Sequence, residues 1–291
     1  MYSLPQSYNQ TSKCKRCISS NAYYKSFRNR FNVYAVKVVS KSSFLGAING
    51  DDAKCFEYAL KVPNINKDRL MINVVYNTEG YAGRSYTNMY FDGSFVSYMM
   101  EDMNEVLIHE AGGHGFAKLL DEYEEIGYGV ITQNAKEYLD QVATLDWGWA
   151  SNVDYVNTAT DVKWAHLLAD SRYKNEVGIY EGAYLYRFGA YRPTENSMMR
   201  YNIPWFNAPS REAIYKAIMT LSEGESWTYN YEDFVQYDAI NRNAATTRGL
   251  QKQPTEDQID KWKKSHRPPV KIKGTWRDAM KKKRQITSPL R

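Results

Sequence analysis

The chain is poor in cysteine and histidine, with three Cys and four His among its 291 residues. An odd and small number of cysteines argues against a disulfide framework. Cys14 and Cys17 form a single C-x-x-C with no second pair and no βαβ pattern around it, which favours a local disulfide or two thiols over a metal or redox site. Any histidine-based site must therefore draw on a very small set of residues.

Long apolar runs are also missing. No stretch of 18 apolar residues occurs, so the sequence predicts no membrane-spanning helix. Residues 1–17 lack the apolar core of a secretory signal peptide, so we expect this chain to carry none.

Positive charge is concentrated at one end of the chain. The formal net charge is +5, but residues 251–291 hold thirteen Lys and Arg against four Asp and Glu, so residues 1–250 are net acidic. The basic segment has only two aromatic residues, Trp262 and Trp276, and no nucleic-acid-binding motif, so we expect no nucleic acid partner. The composition predicts an irregular lead-in over 1–25, a main domain over 26–250 and a basic strap over 251–291, packed on that domain or extending from it.

The pattern of apolar residues predicts an α+β fold. Phe31–Ser40 and Arg69–Tyr76 are rich in β-branched and aromatic residues, and the second has the near-continuous apolar run of a buried strand. Tyr81–Met100 favours a loop and an edge strand, whereas Glu101–Leu120 has helical periodicity with acidic residues at its start. We expect a twisted mixed sheet backed by this helix. Further helices are predicted at Lys54–Val62, Val162–Ala169 and Pro209–Leu221.

The segment HEAGGHGFAKLLDEY, residues 109–123, carries the chemistry. The zinc-peptidase helix motif is H-E-x-x-H, but here His109 and His114 are five residues apart. In an α-helix, residues five apart point roughly 140° away from each other and cannot share one ion. A turn with i→i+5 hydrogen bonds brings them back into line, and such turns cluster at functional sites. Gly112 and Gly113 permit a bulge there.

These residues fit a catalytic zinc site. His109 and His114 would be two ligands, and Glu110 would accept a proton from the attacking water. A third protein ligand is needed; the candidates are Asp121 and Glu122 downstream, or one of the two remaining histidines, His166 and His266. We favour Asp121.

The same segment resembles the bacterial zinc metallopeptidases of the IgA-peptidase family, in which some members carry H-E-x-G-G-H. The similarity continues through L-x-D-E-Y at Leu119–Tyr123 and through several separated blocks. These blocks are NVYAV (32–36), DDAKCFEYAL (51–60), the YAGRSY segment near Tyr81, PTENSMMRYN (193–202), FNAPSREAIY (206–215) and KGTWRDAMKK (273–282).

The resemblance implies a metzincin-like catalytic domain over 26–250 that binds Zn²⁺ and cleaves a protein or peptide substrate. Ser197–Tyr201, S-M-M-R-Y, is similar to the turn that places a methionine beneath the metal in metzincins, here Met199. Tyr201 would then approach the metal or the developing oxyanion. In the metzincin pattern the third ligand lies six residues after the second histidine, but Leu120 occupies that position and Asp121 follows it. The resemblance also implies an extracellular or cell-surface location.

Two other functions fit the sequence less well than peptide-bond hydrolysis does. A binding protein on an inactive peptidase fold would have no need of the general base, so the presence of Glu110 argues against it. A glycosidase needs two carboxylates flanking the scissile bond. The spare ones, from Asp121 to Glu125, lie where the third metal ligand is expected.

Overall fold

The computed structural model describes residues 27–39, 50–76, 85–100, 104–145, 149–203, 205–248 and 254–287. It divides into two compact units, Met1–Phe116 with Lys264–Arg291, and Ala117–Lys263. The predicted lead-in, the C-x-x-C pair and most of the YAGRSY segment lie outside the described residues. Among the described helices, none has the length and apolar character needed to cross a bilayer.

The secondary structure confirms an α+β composition. Six strands are described: β1 Met71–Tyr76, β2 Tyr86–Tyr90, β3 Phe95–Met100, β4 Tyr180–Ala183, β5 Tyr186–Arg192 and β6 Val270–Ile272. The α-helices are α1 Asp52–Ala59, α2 Asn104–Leu107, α3 Gln133–Ala143, α4 Ala165–Ala169, α5 Met198–Tyr201, α6 Ala208–Glu223, α7 Tyr231–Arg248, α8 Glu256–Ser265 and α9 Trp276–Thr287. A π-helix, Ile108–Phe116, continues directly from α2, and Arg28–Arg30 form a short 3-10 turn.

The first unit is built on a mixed four-stranded sheet in the order β1-β3-β2-β6. β1 and β6 run parallel to their neighbours, whereas β2 and β3 are antiparallel. On one face, Val96 and Tyr98 of β3 pack in a core with Phe56 of α1 and Trp276 of α9. The other face of β2 and β3 is covered by the π-helix, so β3 is buried on both sides.

Two strand predictions need correction. Residues 31–39 of the predicted strand Phe31–Ser40 fall in no strand, and Val36 and Val39 are exposed; residue 40 lies outside the described residues. Strand propensity measures how well a side chain fits a pleated, half-buried surface, and without a neighbouring strand it does not decide the structure. β1 matches the predicted strand at Arg69–Tyr76, but it is an edge strand with Met71 and Val75 exposed, not a buried one.

The buried central strand lies where the sequence favours a loop and an edge. β3 falls within Tyr81–Met100, and its polar Ser97 is accommodated in the buried layer because Thr87 of β2 lies 2.8 Å from it, hydroxyl to hydroxyl. The basic C-terminal segment, predicted to pack on the main domain or to extend from it, contains regular secondary structure. It supplies strand β6 and helix α9, whose Trp276 is 6% exposed.

The second unit combines helices with the β4–β5 hairpin. Its α6 begins at an Asn207 cap whose side chain accepts from Ser210 N. Pro209 lies in the first turn, where the sequence predicts the start of this helix. Arg211 of α6 is buried and forms ion pairs with Glu176 and Asp238. Burial acts to lower the pKa of its guanidinium, but the two carboxylates outweigh this effect and raise the pKa above its ordinary value. This network anchors α6 within the unit.

Candidate metal centre

The π-helix resolves the five-residue spacing of the two histidines. It extends from Ile108 to Phe116 and contains both glycines, and its i→i+5 hydrogen bonds bring residues five apart onto one face, as predicted. His109 Nε2 lies 3.1 Å from His114 Nε2, and the two ring centroids are 4.7 Å apart at 77°. Both side chains are fully buried. The predicted helix over Glu101–Leu120 is thus a short α-helix and a π-helix that end at Phe116.

Asp121 joins the two histidines in a potential ligand set. One nitrogen from each imidazole and one oxygen from the Asp121 carboxylate all lie within 4.8 Å of one another, on one continuous stretch of chain. A tetrahedral zinc ion with bonds of about 2.0–2.1 Å separates its donor atoms by about 3.3 Å. The observed spacing fits that requirement after small side-chain movements, and two imidazoles with one carboxylate leave a fourth position open. The donor set therefore fits zinc.

The backbone around Asp121 is anchored on both sides. Asn152 pairs with Leu120 through two hydrogen bonds, from Leu120 N to Oδ1 (2.9 Å) and from Nδ2 to Leu120 O (2.8 Å). Glu122 N donates to Met199 O at 2.8 Å, and Asp121 O accepts from Tyr184 N at 2.9 Å. The main-chain groups of three consecutive residues are thus hydrogen-bonded, those of Leu120 to the Asn152 side chain and those of Asp121 and Glu122 to other main-chain groups. The backbone position from which the Asp121 side chain extends is therefore fixed.

Glu122, the alternative third ligand, is already engaged. It is fully buried, and its carboxylate accepts hydrogen bonds from Ser197 Oγ (2.6 Å), Asn152 Nδ2 (2.8 Å) and Asn207 Nδ2 (2.8 and 3.0 Å). Burial raises its pKa, while these donors stabilise the charged form. Glu122 therefore connects the L-x-D-E-Y segment to Ser197 and to Asn207 at the start of α6. Both of its carboxylate oxygens accept hydrogen bonds from these side chains and from Asn152, and are thus engaged away from a metal.

His166, another alternative ligand, belongs to a separate cluster. Its Nε2 lies 2.8 Å from Oε2 of Glu212, which also pairs with Lys216. Its ring packs against Tyr231 at a centroid distance of 5.4 Å. His166 is therefore a partner of Glu212 within the second unit, and it is not among the three potential metal ligands.

Glu110, the predicted base, is fixed by the sheet. It is fully buried, and Thr87 Oγ1 lies 2.9 Å from its Oε2 and 3.0 Å from its carbonyl oxygen. Ser97 Oγ lies 2.8 Å from the same Thr87 hydroxyl. When Ser97 donates to Thr87, Thr87 directs its single proton to Glu110, which holds this carboxylate beside the histidine it follows.

Met199 and Tyr201 lie in the short helix α5. Ser197 caps it by accepting from Met199 N, Met199 is fully buried, and Asn202 ends it in a left-handed conformation at φ 53°. The Tyr201 ring packs edge-on against Trp262 of α8, with centroids 5.5 Å apart, and Trp262 packs on Tyr123 at 4.2 Å. Met199 is the residue that the family resemblance places beneath the metal. Its carbonyl oxygen accepts a hydrogen bond from Glu122 N, the residue next to Asp121.

Sequence reasoning missed several residues that support this centre. Thr87 contacts Glu110, and Trp262 contacts Tyr201, but neither stands in a motif or at a diagnostic spacing. Asn207 was detectable, because an Asn before Ala-Pro-Ser marks a helix start. Its second role, donating to Glu122, depends on tertiary contacts.

Comparison with known families gives an independent line of evidence. The model of the family described as IgA Peptidase M64 matches residues 150–218, a range that contains Ser197, Met199 and Tyr201 and begins downstream of the two histidines. A search of curated proteins returned no match. Over this part the chain resembles a peptidase family, which supports a hydrolase that acts on proteins or peptides.

Proposed function

We propose that this protein is a zinc-dependent endopeptidase with a metzincin-like catalytic domain. The observation that carries the proposal is that His109 and His114 of the π-helix, which also holds Glu110, and Asp121 downstream of it offer three donor atoms within 4.8 Å of one another. The match to IgA Peptidase M64 supports the reaction class independently of these residues. His109, His114 and Asp121 would hold the ion; when bound there, zinc polarises a scissile carbonyl and lowers the pKa of a water.

Glu110 is the general base in this proposal. As a carboxylate it accepts a proton from the attacking water, and it then donates that proton to the leaving amine. The hydrogen bond from Thr87 to Oε2 restricts the rotation of the side chain, so the carboxylate approaches the water in one orientation. Burial keeps bulk water away from the proton being transferred.

Tyr201 is the candidate donor to the oxyanion that forms during attack. A phenol is a hydrogen-bond donor at neutral pH, and a preorganised donor stabilises the developing charge. The edge-on contact with Trp262 restricts the tyrosine ring. Met199 contributes an apolar support beside the segment that carries Asp121, through its buried side chain and its hydrogen-bonded carbonyl.

Cleavage of casein by the zinc-loaded protein tests the proposal. Glu110→Gln keeps the size of the side chain but removes the base, so we expect zinc binding to persist while cleavage falls by about 10²-fold or more. Glu105→Gln, an exposed substitution one turn earlier, is the matched control and should leave cleavage unchanged. A zinc-loaded Glu110→Gln protein with full activity would refute the role of Glu110. Wild-type protein that binds zinc but cleaves no protein would instead favour a binding protein on a peptidase fold.

A further inference from the structure

The C-terminal segment brings a third histidine to the candidate ligands. His266 follows α8 and forms an isolated parallel bridge with Ser85, and Arg267 N donates to Ser85 O at 3.0 Å. Four residues later the segment continues as β6, which pairs with β2. Because these hydrogen bonds extend the sheet that supports the π-helix, His266 is held at a fixed position relative to that helix.

The His266 ring packs directly on His109. It is 3% exposed, and its centroid lies 4.6 Å from that of His109 at an interplanar angle of 73°. His114 contacts the same ring at 4.7 Å and 77°. His109 therefore lies between two imidazoles, one a candidate ligand and the other outside the set of three donors that fall within 4.8 Å of one another.

This packing matters because an imidazole ring turns readily about its outer side-chain torsion, which has broad minima. A ring nitrogen must point at the ion within narrow limits, and residues that contact a ligand from outside the coordination sphere fix its orientation. Edge-to-face aromatic packing is one means of doing so. His266 contacts His109 in that way.

We propose that His266 is a positioning residue for His109 and that it acts by ring packing, not as a zinc ligand. The packing of His266 on His109 does not depend on the proposed function, whereas the effect of His266 on zinc affinity rests on the zinc site of that proposed function. His266→Ala removes the ring, and His266→Phe restores an aromatic ring that cannot bind a metal. Lys264→Ala, an exposed substitution two residues away, is the matched control.

The first measurement uses metal-free protein. The chain has four histidines, so selective isotope labelling gives four sets of imidazole signals in an NMR spectrum. We expect His266→Ala to shift the His109 signals and to leave those of His166, which pairs with Glu212, unchanged. Unchanged His109 signals would overturn the proposed packing whether or not the protein binds zinc.

The second measurement is zinc affinity by competition with a chromophoric chelator, together with the visible spectrum of the Co²⁺-substituted protein. We expect His266→Ala to weaken zinc binding about 10-fold or more and to change the Co²⁺ spectrum. His266→Phe should recover affinity to within about 3-fold of wild type. Wild-type affinity in the alanine variant would overturn a positioning role, and a phenylalanine variant as weak as alanine would show that the imidazole nitrogens are required.

These outcomes separate the inference from the peptidase proposal. A wild-type protein that binds zinc and cleaves no substrate would refute the peptidase but leave the role of His266 intact. A wild-type protein that binds no zinc would overturn both the zinc site and the role of His266 in it, while the NMR result would still decide the ring packing.

Discussion

His109 Nε2 and His114 Nε2 lie 3.1 Å apart although five residues separate them in the chain. An α-helix would turn the second side chain roughly 140° away from the first. The π-helix removes that angle by widening the turn, and it does so where Gly112 and Gly113 lie. The extra residue relative to H-E-x-x-H is thus absorbed by the backbone, and the pair of imidazoles is preserved.

This relationship predicts the effect of changing the length of the turn. Deleting Gly112 gives H-E-x-x-H, for which ordinary α-helical geometry already aligns the histidines. We expect the deletion variant to bind zinc within about 10-fold of wild type, measured by chelator competition. Inserting an alanine between Gly112 and Gly113 should abolish binding, because neither an α-turn nor a π-turn aligns residues six apart. Loss of zinc from a folded deletion variant would contradict this explanation.

Gly115 permits the π-helix to approach the sheet closely. A Cβ atom at this position would lie 2.6–2.8 Å from ring carbons of Phe95, so either the ring or the helix must move. We expect Gly115→Ala to lower the free energy of unfolding by about 1–3 kcal/mol, measured by chemical denaturation.

Two further variants test the cause. Gly129→Ala is the control, because an added Cβ there meets no atom within 4 Å. Phe95→Leu in the Gly115→Ala background should reduce the penalty. A Gly115→Ala protein as stable as wild type would show that the approach is not tight.

Tyr201 should affect turnover more than metal binding. Removing one preorganised oxyanion donor typically costs about 10²-fold in kcat, so we expect Tyr201→Phe to lower kcat to that extent at unchanged zinc content. Trp262→Leu should also lower kcat by releasing the Tyr201 ring, in a smaller measure. Steady-state kinetics on a peptide substrate would show this, and an unaltered kcat in Tyr201→Phe would remove the residue from the mechanism.

Glu212 makes a pH-dependent contribution to stability. Although burial raises its pKa, the hydrogen bond from His166 and the charge of Lys216 lower it to about 2, from an ordinary value of 4.5. Because the folded-state pKa is depressed, the stabilisation is present above pH 4.5 and is lost as the pH falls towards 2. The shift corresponds to about 3 kcal/mol at neutral pH.

Unfolding curves at several pH values test this contribution. The difference in unfolding free energy between wild type and Glu212→Gln should shrink as the pH falls from 4.5 to 2. Glu225→Gln, at an exposed position, should show no such change. A difference independent of pH would mean that the ionised carboxylate is not what stabilises this cluster.

The sequence predicted those features that depend on neighbouring residues. Helices α1 and α6 follow from periodicity and capping, and the aligned histidines follow from two glycines within a helical pattern. The segment at residues 31–39 was predicted wrongly because its valines have strand propensity but no neighbouring strand pairs with them among the described residues.

Features that depend on distant segments were not predictable. β3 is buried on both faces because the π-helix covers one face and α1 with α9 the other, which its own residues do not reveal. His266 reaches His109 only because the segment that continues as β6 joins the sheet beside β2. Glu122 was an alternative to the favoured Asp121, and the three side-chain donors that engage its carboxylate come from distant segments of the chain. The roles of His109, Glu110, His114, Asp121, Met199 and Tyr201 stay predictions.

The metal content of the purified chain tests the central claim most directly. Native mass spectrometry should find one zinc ion per chain in the wild type and none in His114→Ala, with Asp121→Ala binding zinc at least 10-fold more weakly. His166→Ala is the matched control and should retain a full equivalent, because its partner is Glu212. A wild-type chain that binds no zinc after reloading, or a His114→Ala variant that keeps a full equivalent, would contradict the site.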